Sequence, residues 1–153
     1  MSKNNSKGIS LIELIIALTL IALVASLGFP ALNALIQKNR LDNLSHDLKA
    51  ALQFARLQAV LRGEKLCLSP LHDWSNGMHL CVDNPKHRCQ KRGILYQWRW
   101  FYHGFQIDWR GFLSKNYLLF SPDMGSNTLN GVFYLRNQQA EKKLVINRLG
   151  RVY

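Results

Sequence analysis

From Ile9 to Ile36 the chain is apolar and carries a single charge, Glu13. A run of this length is enough for a helix across a bilayer, which takes about 20 apolar residues. Gly28 and Pro30 fall inside it, and a proline there removes one backbone hydrogen bond and favours a kink. Beyond Ile36 the apolar positions change to steps of three and four: Leu41, Leu44, Leu48, Leu52, Ala55 and Ala59. Lys38, Arg40, Asp42, Asp47, Lys49 and Arg56 lie between them. This pattern predicts an amphipathic continuation of the same helix to Arg62–Gly63, where glycine stops it.

After Gly63 the period becomes two. Leu66 and Leu68 alternate with Lys65, Cys67 and Ser69, and Met78, Leu80 and Val82 with His79, Cys81 and Asp83. The Asn76-Gly77 pair marks a turn before the second run. Further strands are predicted over Ile94–Tyr102, Phe105–Trp109, Tyr117–Ser121, Gly131–Arg136 and Lys143–Arg148. Breakers separate them at Asn84-Pro85, Gly104, Pro122–Gly125 and Asn130-Gly131. One long helix followed by antiparallel strands is an α+β arrangement, with the helix covering one face of the sheet. The domain plan is a leader over 1–8, an apolar helix over 9–36, an amphipathic helix over 37–63 and a β-rich globular domain over 64–153.

The first eight residues, MSKNNSKG, are polar and contain Lys3 and Lys7. A secretory signal peptide would be cut after its apolar region, but here the small residue, Gly8, precedes that region. The apolar segment is therefore expected to stay, with the lysines cytoplasmic and the domain beyond it on the other side of the membrane. At 153 residues the chain has room for one domain and an appendage. The formal net charge is +11; Lys3, Lys7 and Glu13 are the charges before Gln37, so +10 sits on the rest. So basic a surface attracts polyanions without sequence preference.

The segment Gly8-Ile9-Ser10-Leu11-Ile12-Glu13-Leu14 resembles the N-terminal motif of type IV pilins and type II secretion pseudopilins. That motif usually reads Gly-Phe-Thr-Leu-Ile-Glu-Leu, so Ile9 stands for Phe and Ser10 for Thr. The resemblance implies cleavage after Gly8 by a prepilin peptidase and N-methylation of Ile9. Pro30 would then be residue 22 of the mature chain, where major pilins carry their kink proline. The rest resembles the minor pilins called FimT and the type II secretion pseudopilin GspH. The marks are Ala59-Val60-Leu61-Arg62-Gly63, Leu66-Cys67-Leu68-Ser69, Trp74 before Gly77, Leu119-Phe120-Ser121-Pro122 and the tail Leu144 to Arg151.

The family implies a single-pass inner-membrane subunit with a periplasmic domain, a filament role and other pilin subunits as partners. It implies no enzyme activity and no cofactor. Glu13 and Pro30 are the assembly candidates: a charged carboxylate in hydrocarbon needs a partner, and in such filaments the glutamate neutralises a neighbour's N-terminal amine. Some FimT-type minor pilins are DNA receptors for natural transformation through a C-terminal Gly-Arg-x-Arg motif. Gly150-Arg151-Val152 matches its first part, but Tyr153 stands in place of the second arginine. Arg148, Arg151, Lys142 and Lys143 are thus candidate contacts for double-stranded DNA, with Arg148 and Arg151 expected to matter more than Lys38 and Lys49 on the helix stem.

A second basic cluster, Lys86, Arg88, Lys91 and Arg92 with His87, runs into Trp98, Trp100 and Tyr102. Basic residues among aromatics can hold phosphates and stack bases. Ile94, Tyr96, Trp98, Trp100 and Tyr102 share a strand face, however, and are expected to be core. Cys67, Cys81 and Cys89 predict one disulfide and a spare thiol in an exported domain. Alternation puts Cys67 and Cys81 on the face away from the core, where a cross-strand bridge would fit; Cys81–Cys89 would instead close the Asn84–Arg88 loop. Metal is not expected, since zinc pairs come as Cys-x2–4-Cys and the five histidines show no ligand spacing. Catalytic motifs of the Gly-x-Ser-x-Gly or His-Glu-x-x-His type do not occur.

Overall fold

The computed structural model describes residues 10–102, 104–123 and 129–153, and of Leu27 and Lys91 the backbone alone. The cleavage pair Gly8-Ile9 lies outside the described residues, as do Met124 and Gly125 of the Pro122–Gly125 breaker. The chain divides into two compact units, Met1–Ile36 and Gln37–Tyr153. Helix α1 spans Leu11–Arg62 and contributes to both. In the first unit its apolar side chains are exposed, Leu11 by 77% and Phe29 by 71%. The mean hydropathy there reaches 2.5, long and apolar enough to cross a membrane. Thr19 and Ser26 do not break this character, because their hydroxyls donate back to the carbonyls of Ile16 and Leu23 (2.8 Å each).

In the second unit the predicted stripe is buried: Leu41, Leu44, Leu48, Leu52, Ala55 and Ala59 are at most 3% exposed. The helix ends where its sequence says, with Gly63 at φ 64° accepting the left-handed turn. Among the described residues seven strands follow: β1 Leu66–Pro70, β2 Gly77–Val82, β3 Ile94–Arg99, β4 Gln106–Gly111, β5 Leu118–Phe120, β6 Gly131–Arg136 and β7 Glu141–Ile146. They form two antiparallel sheets rather than one, in the orders β3-β2-β1-β5 and β4-β6-β7. The helix stripe and both sheets share one core, in which Phe133 meets Trp74 edge-on (5.2 Å between ring centres) and Trp109 (4.6 Å).

Three local departures from the sequence pattern have physical causes. Cys67 and Cys81 do not lie on an open face: they are 0% and 2% exposed. The loop after β2 folds over them, tied by Asp83 N donating to Lys65 O (2.9 Å) and the Cys67 thiol donating to His87 O (3.2 Å). β3 stops at Arg99, short of Tyr102, because Trp100 Nε1 donates to Trp74 O (2.9 Å) and the Tyr102 hydroxyl to Asp47 (3.0 Å). These side chains tie the segment to the core and the helix instead of extending the ladder. β7 begins and ends two residues early, between a turn that Asn137 Oδ1 closes by accepting from Gln139 N and Ala140 N and a second turn at Asn147–Gly150.

Candidate functional site

The apolar half of α1 carries Glu13 in its first turn, exposed, as its only charge. A carboxylate there faces the positive end of the helix dipole, which favours it locally. Its ordinary partner would be an amine, and Pro30 sits farther along the same exposed surface.

The tail is a short return. Asn147 N donates to Arg151 O (3.0 Å), Gly150 N to Asn147 O (2.9 Å), and Val145 and Tyr153 exchange backbone bonds (3.2 and 2.9 Å), so 151–153 lies along β7. Gly150 makes this possible: φ is 75°, and a Cβ would come within 2.9 Å of Leu129. Arg151 and Tyr153 then point outward on either side of buried Val152. They line a groove of about 470 Å³ with Lys49, Arg56, Leu57 and Val60 of the helix. Lys49 therefore shares a groove with Arg151 rather than lying on a separate stem. Arg56 joins them unforeseen; its place in the charged face of the helix was legible, its neighbour in the tail was not.

The other candidate cations divide. Lys142 is taken up by Asp42 of the helix (2.6 Å), and Lys143 by Glu141 (3.5 Å) and the Tyr134 ring (5.4 Å). Arg148, Lys86, Arg88 and Arg92 are exposed without a carboxylate partner among the described residues, and the Lys91 side chain is outside them. The Lys86–Arg92 cluster hangs from the first sheet, between β2 and β3, whereas the tail belongs to the second.

The Asp42–Lys142 pair gives a pH test. The hydrogen bond from Lys142 and its charge hold the Asp42 carboxyl below its ordinary value, with Lys38 and His46 assisting and burial opposing. A depressed folded pKa stabilises above the unfolded pKa, and that contribution is lost as pH falls through the folded one. The pair is exposed, so the effect is small. Melting temperatures of the full chain and of Asp42→Asn in detergent should differ at neutral pH and converge as the pH falls below the usual carboxylate range. A gap unchanged with pH would deny the pair its role.

The cysteines settle into one bridge, Cys81–Cys89, with Cα atoms 5.5 Å apart, and one buried thiol, Cys67. Burial, aided by Asp83, pushes the Cys67 thiol up to about 12. His87 keeps near it, bonded to Asp83 (2.8 Å) and stacked on Tyr117. Among the described residues no group of three His, Cys, Asp or Glu side chains could hold a metal ion.

The rings Tyr96, Trp98, Trp100 and Tyr102 are not core residues. Trp98, Trp100 and Tyr102 are half-buried and Tyr96 is 36% exposed. They line a cleft of about 820 Å³ against Asp47, Ala50, Ala51 and Phe54 of α1. The reason is that β3 is the outer strand of its sheet and faces small alanines on the helix, which leave space unfilled.

An apolar-to-amphipathic helix packed on antiparallel sheets defines a pilin-like subunit. The family model described as type II transport protein GspH matches residues 44–150, and the prokaryotic N-terminal methylation motif matches residues 3–29. The chain belongs to the GspH family of pilin-like proteins. Its fold is similar to the type IV minor pilin FimU of Pseudomonas aeruginosa (strain PAO1). The P21 crystal structure gives a TM-score of 0.64 at 19% identity over 76% of this chain and 89% of that one. The P65 form gives 0.60 at 19% identity over 73% and 90%. No curated protein sequence matches it. Members of such families are structural subunits anchored through the apolar helix, and this chain is one of them.

Proposed function

We propose that the chain is made as a precursor, cut between Gly8 and Ile9 by a prepilin peptidase, methylated at Ile9 and assembled by its apolar helix into a pilus or type II secretion filament. Before assembly it spans the inner membrane once, with the domain from Gln37 on the periplasmic side. The observation that carries this is the methylation-motif match over 3–29, which overlaps the exposed apolar half of α1, whose sole charge is Glu13. Intact mass of the protein from cells with and without the peptidase should differ by the leader MSKNNSKG, and by one methyl group. Equal masses, or a cut near Ser26, would overturn it.

A second reading, capture of double-stranded DNA, is favoured by the groove that joins Lys49, Arg56 and Arg151 on a domain of formal charge +10. Binding of this kind is non-specific, with Kd of about 1–100 μM at physiological salt, and log K falls with log salt by about 0.9 per phosphate neutralised. Arg56→Gln with Arg151→Gln should flatten that slope and weaken binding more than Lys38→Gln with Lys65→Gln. Equal losses would make net charge responsible, and no binding at about 50 mM salt would remove the reading.

A further inference from the structure

The aromatic cleft is a feature that helix assembly leaves unused. It is lined by consecutive residues from Tyr96 to Tyr102, from both faces of the strand, so it runs along the edge of β3 rather than over one face. That edge has no strand beside it among the described residues. The other sheet edges are blunted in ordinary ways. β5 is three residues long, β7 is covered by the tail, and β4 carries Asp108 and Arg110 in alternation. β3 has six residues, no proline and one charge, Arg99.

Its surroundings are built for a partner. Phe54 stands edge-on to Tyr96 (4.6 Å) and Trp98 (5.8 Å), making an aromatic floor, and Phe101 projects from the rim 85% exposed. Aromatic side chains in a cleft with a bare strand edge suit an extended peptide, whose main chain pairs with the edge and whose alternate side chains enter the cleft. Charge selects the peptide. Asp47 is occupied by Tyr102, while Arg99 has no carboxylate partner among the described residues. A second copy of this domain would bring another +10. Like charges disfavour that pairing, and carboxylates flanking an apolar segment favour the alternative.

We propose that the cleft beside β3 docks an extended, apolar, acid-flanked segment of a different subunit of the same filament, added as a strand to the β3 edge. This rests on the filament reading above.

The test uses the full chain in its own cells, with benzoylphenylalanine in place of Phe101 as photo-cross-linker and in place of Phe112, 87% exposed beyond β4, as control. Light should join the Phe101 probe to one other filament subunit, through a peptide that is apolar and flanked by Asp or Glu. Arg99→Glu should cut the adduct about tenfold, as for a charge at an interface rim, and Arg99→Lys should largely keep it. An adduct to a second copy, to glycan or to lipid, or an equal adduct from the Phe112 probe, overturns the proposal. So does a chain recovered in filaments without the Phe101 adduct, and that result leaves the filament reading standing. A chain never recovered in filaments overturns that reading and the proposal with it.

Discussion

Glu13→Val leaves the protein in the membrane and removes it from filaments. The carboxylate costs roughly 2.5–3.5 kcal/mol in the centre of a bilayer, less near the interface, so valine inserts at least as well. What valine cannot do is meet the amine that cleavage would create at Ile9, four residues away. Within one helix that amine and Glu13 are close to the same interface and both can stay wet. In a filament core, where neighbouring apolar helices replace water, an unpaired amine costs several kcal/mol. The variant should therefore show unchanged membrane fractionation and at least a tenfold drop in sheared filaments, since each 1.4 kcal/mol is tenfold. Glu13→Asp should recover part of the loss and Glu13→Gln less, because charge and reach both matter. Wild-type amounts of Glu13→Val in filaments would show that Glu13 has no assembly role.

The helix was legible in the sequence because its signals are local. The apolar run, the steps of three and four from Leu41 to Ala59 and the stop at Gly63 each act over a few residues, and the structure places them as read. Each of the strands overlaps a stretch read as a strand for the same reason, though β3 and β7 end short of it, and Gly77 shows how a turn glycine also serves packing: its φ is 124° and a Cβ would strike the Trp98 carbonyl. The division into two sheets was not legible, because alternation says which side faces inward and not which strand lies next. The cleft was hidden by the same limit. Tyr96, Trp98 and Trp100 share a strand face and read as core, but among the described residues β3 has one neighbouring strand. The groove at Arg151 required knowing that Asn147–Gly150 turns the tail back beside Arg56, a contact across nearly a hundred residues.

Reduction of the Cys81–Cys89 bridge should lower the stability of the exported domain by about 2.6 kcal/mol, the chain-entropy value for so short a loop. The loop it closes is also the cover over β1, through Cys67 to His87 and Asp83 to Lys65. Loosening that cover exposes a face of sheet that alternation alone would have left polar, and adds to the loss. Cys67 supplies an internal reporter. Held up to about 12 by burial, its thiol stays protonated and unreactive while the domain is folded. Alkylation of the oxidised protein near pH 8 should label no cysteine when native and Cys67 alone when denatured; after reduction and denaturation all three should be labelled. Chemical denaturation of oxidised and reduced full-length protein then gives the difference directly. A cross-strand Cys67–Cys81 bridge would instead leave Cys89, half-buried, as the labelled residue. Three free thiols in protein from the cell envelope, or equal stability in the two redox states, would refute the bridge as a stabilising element.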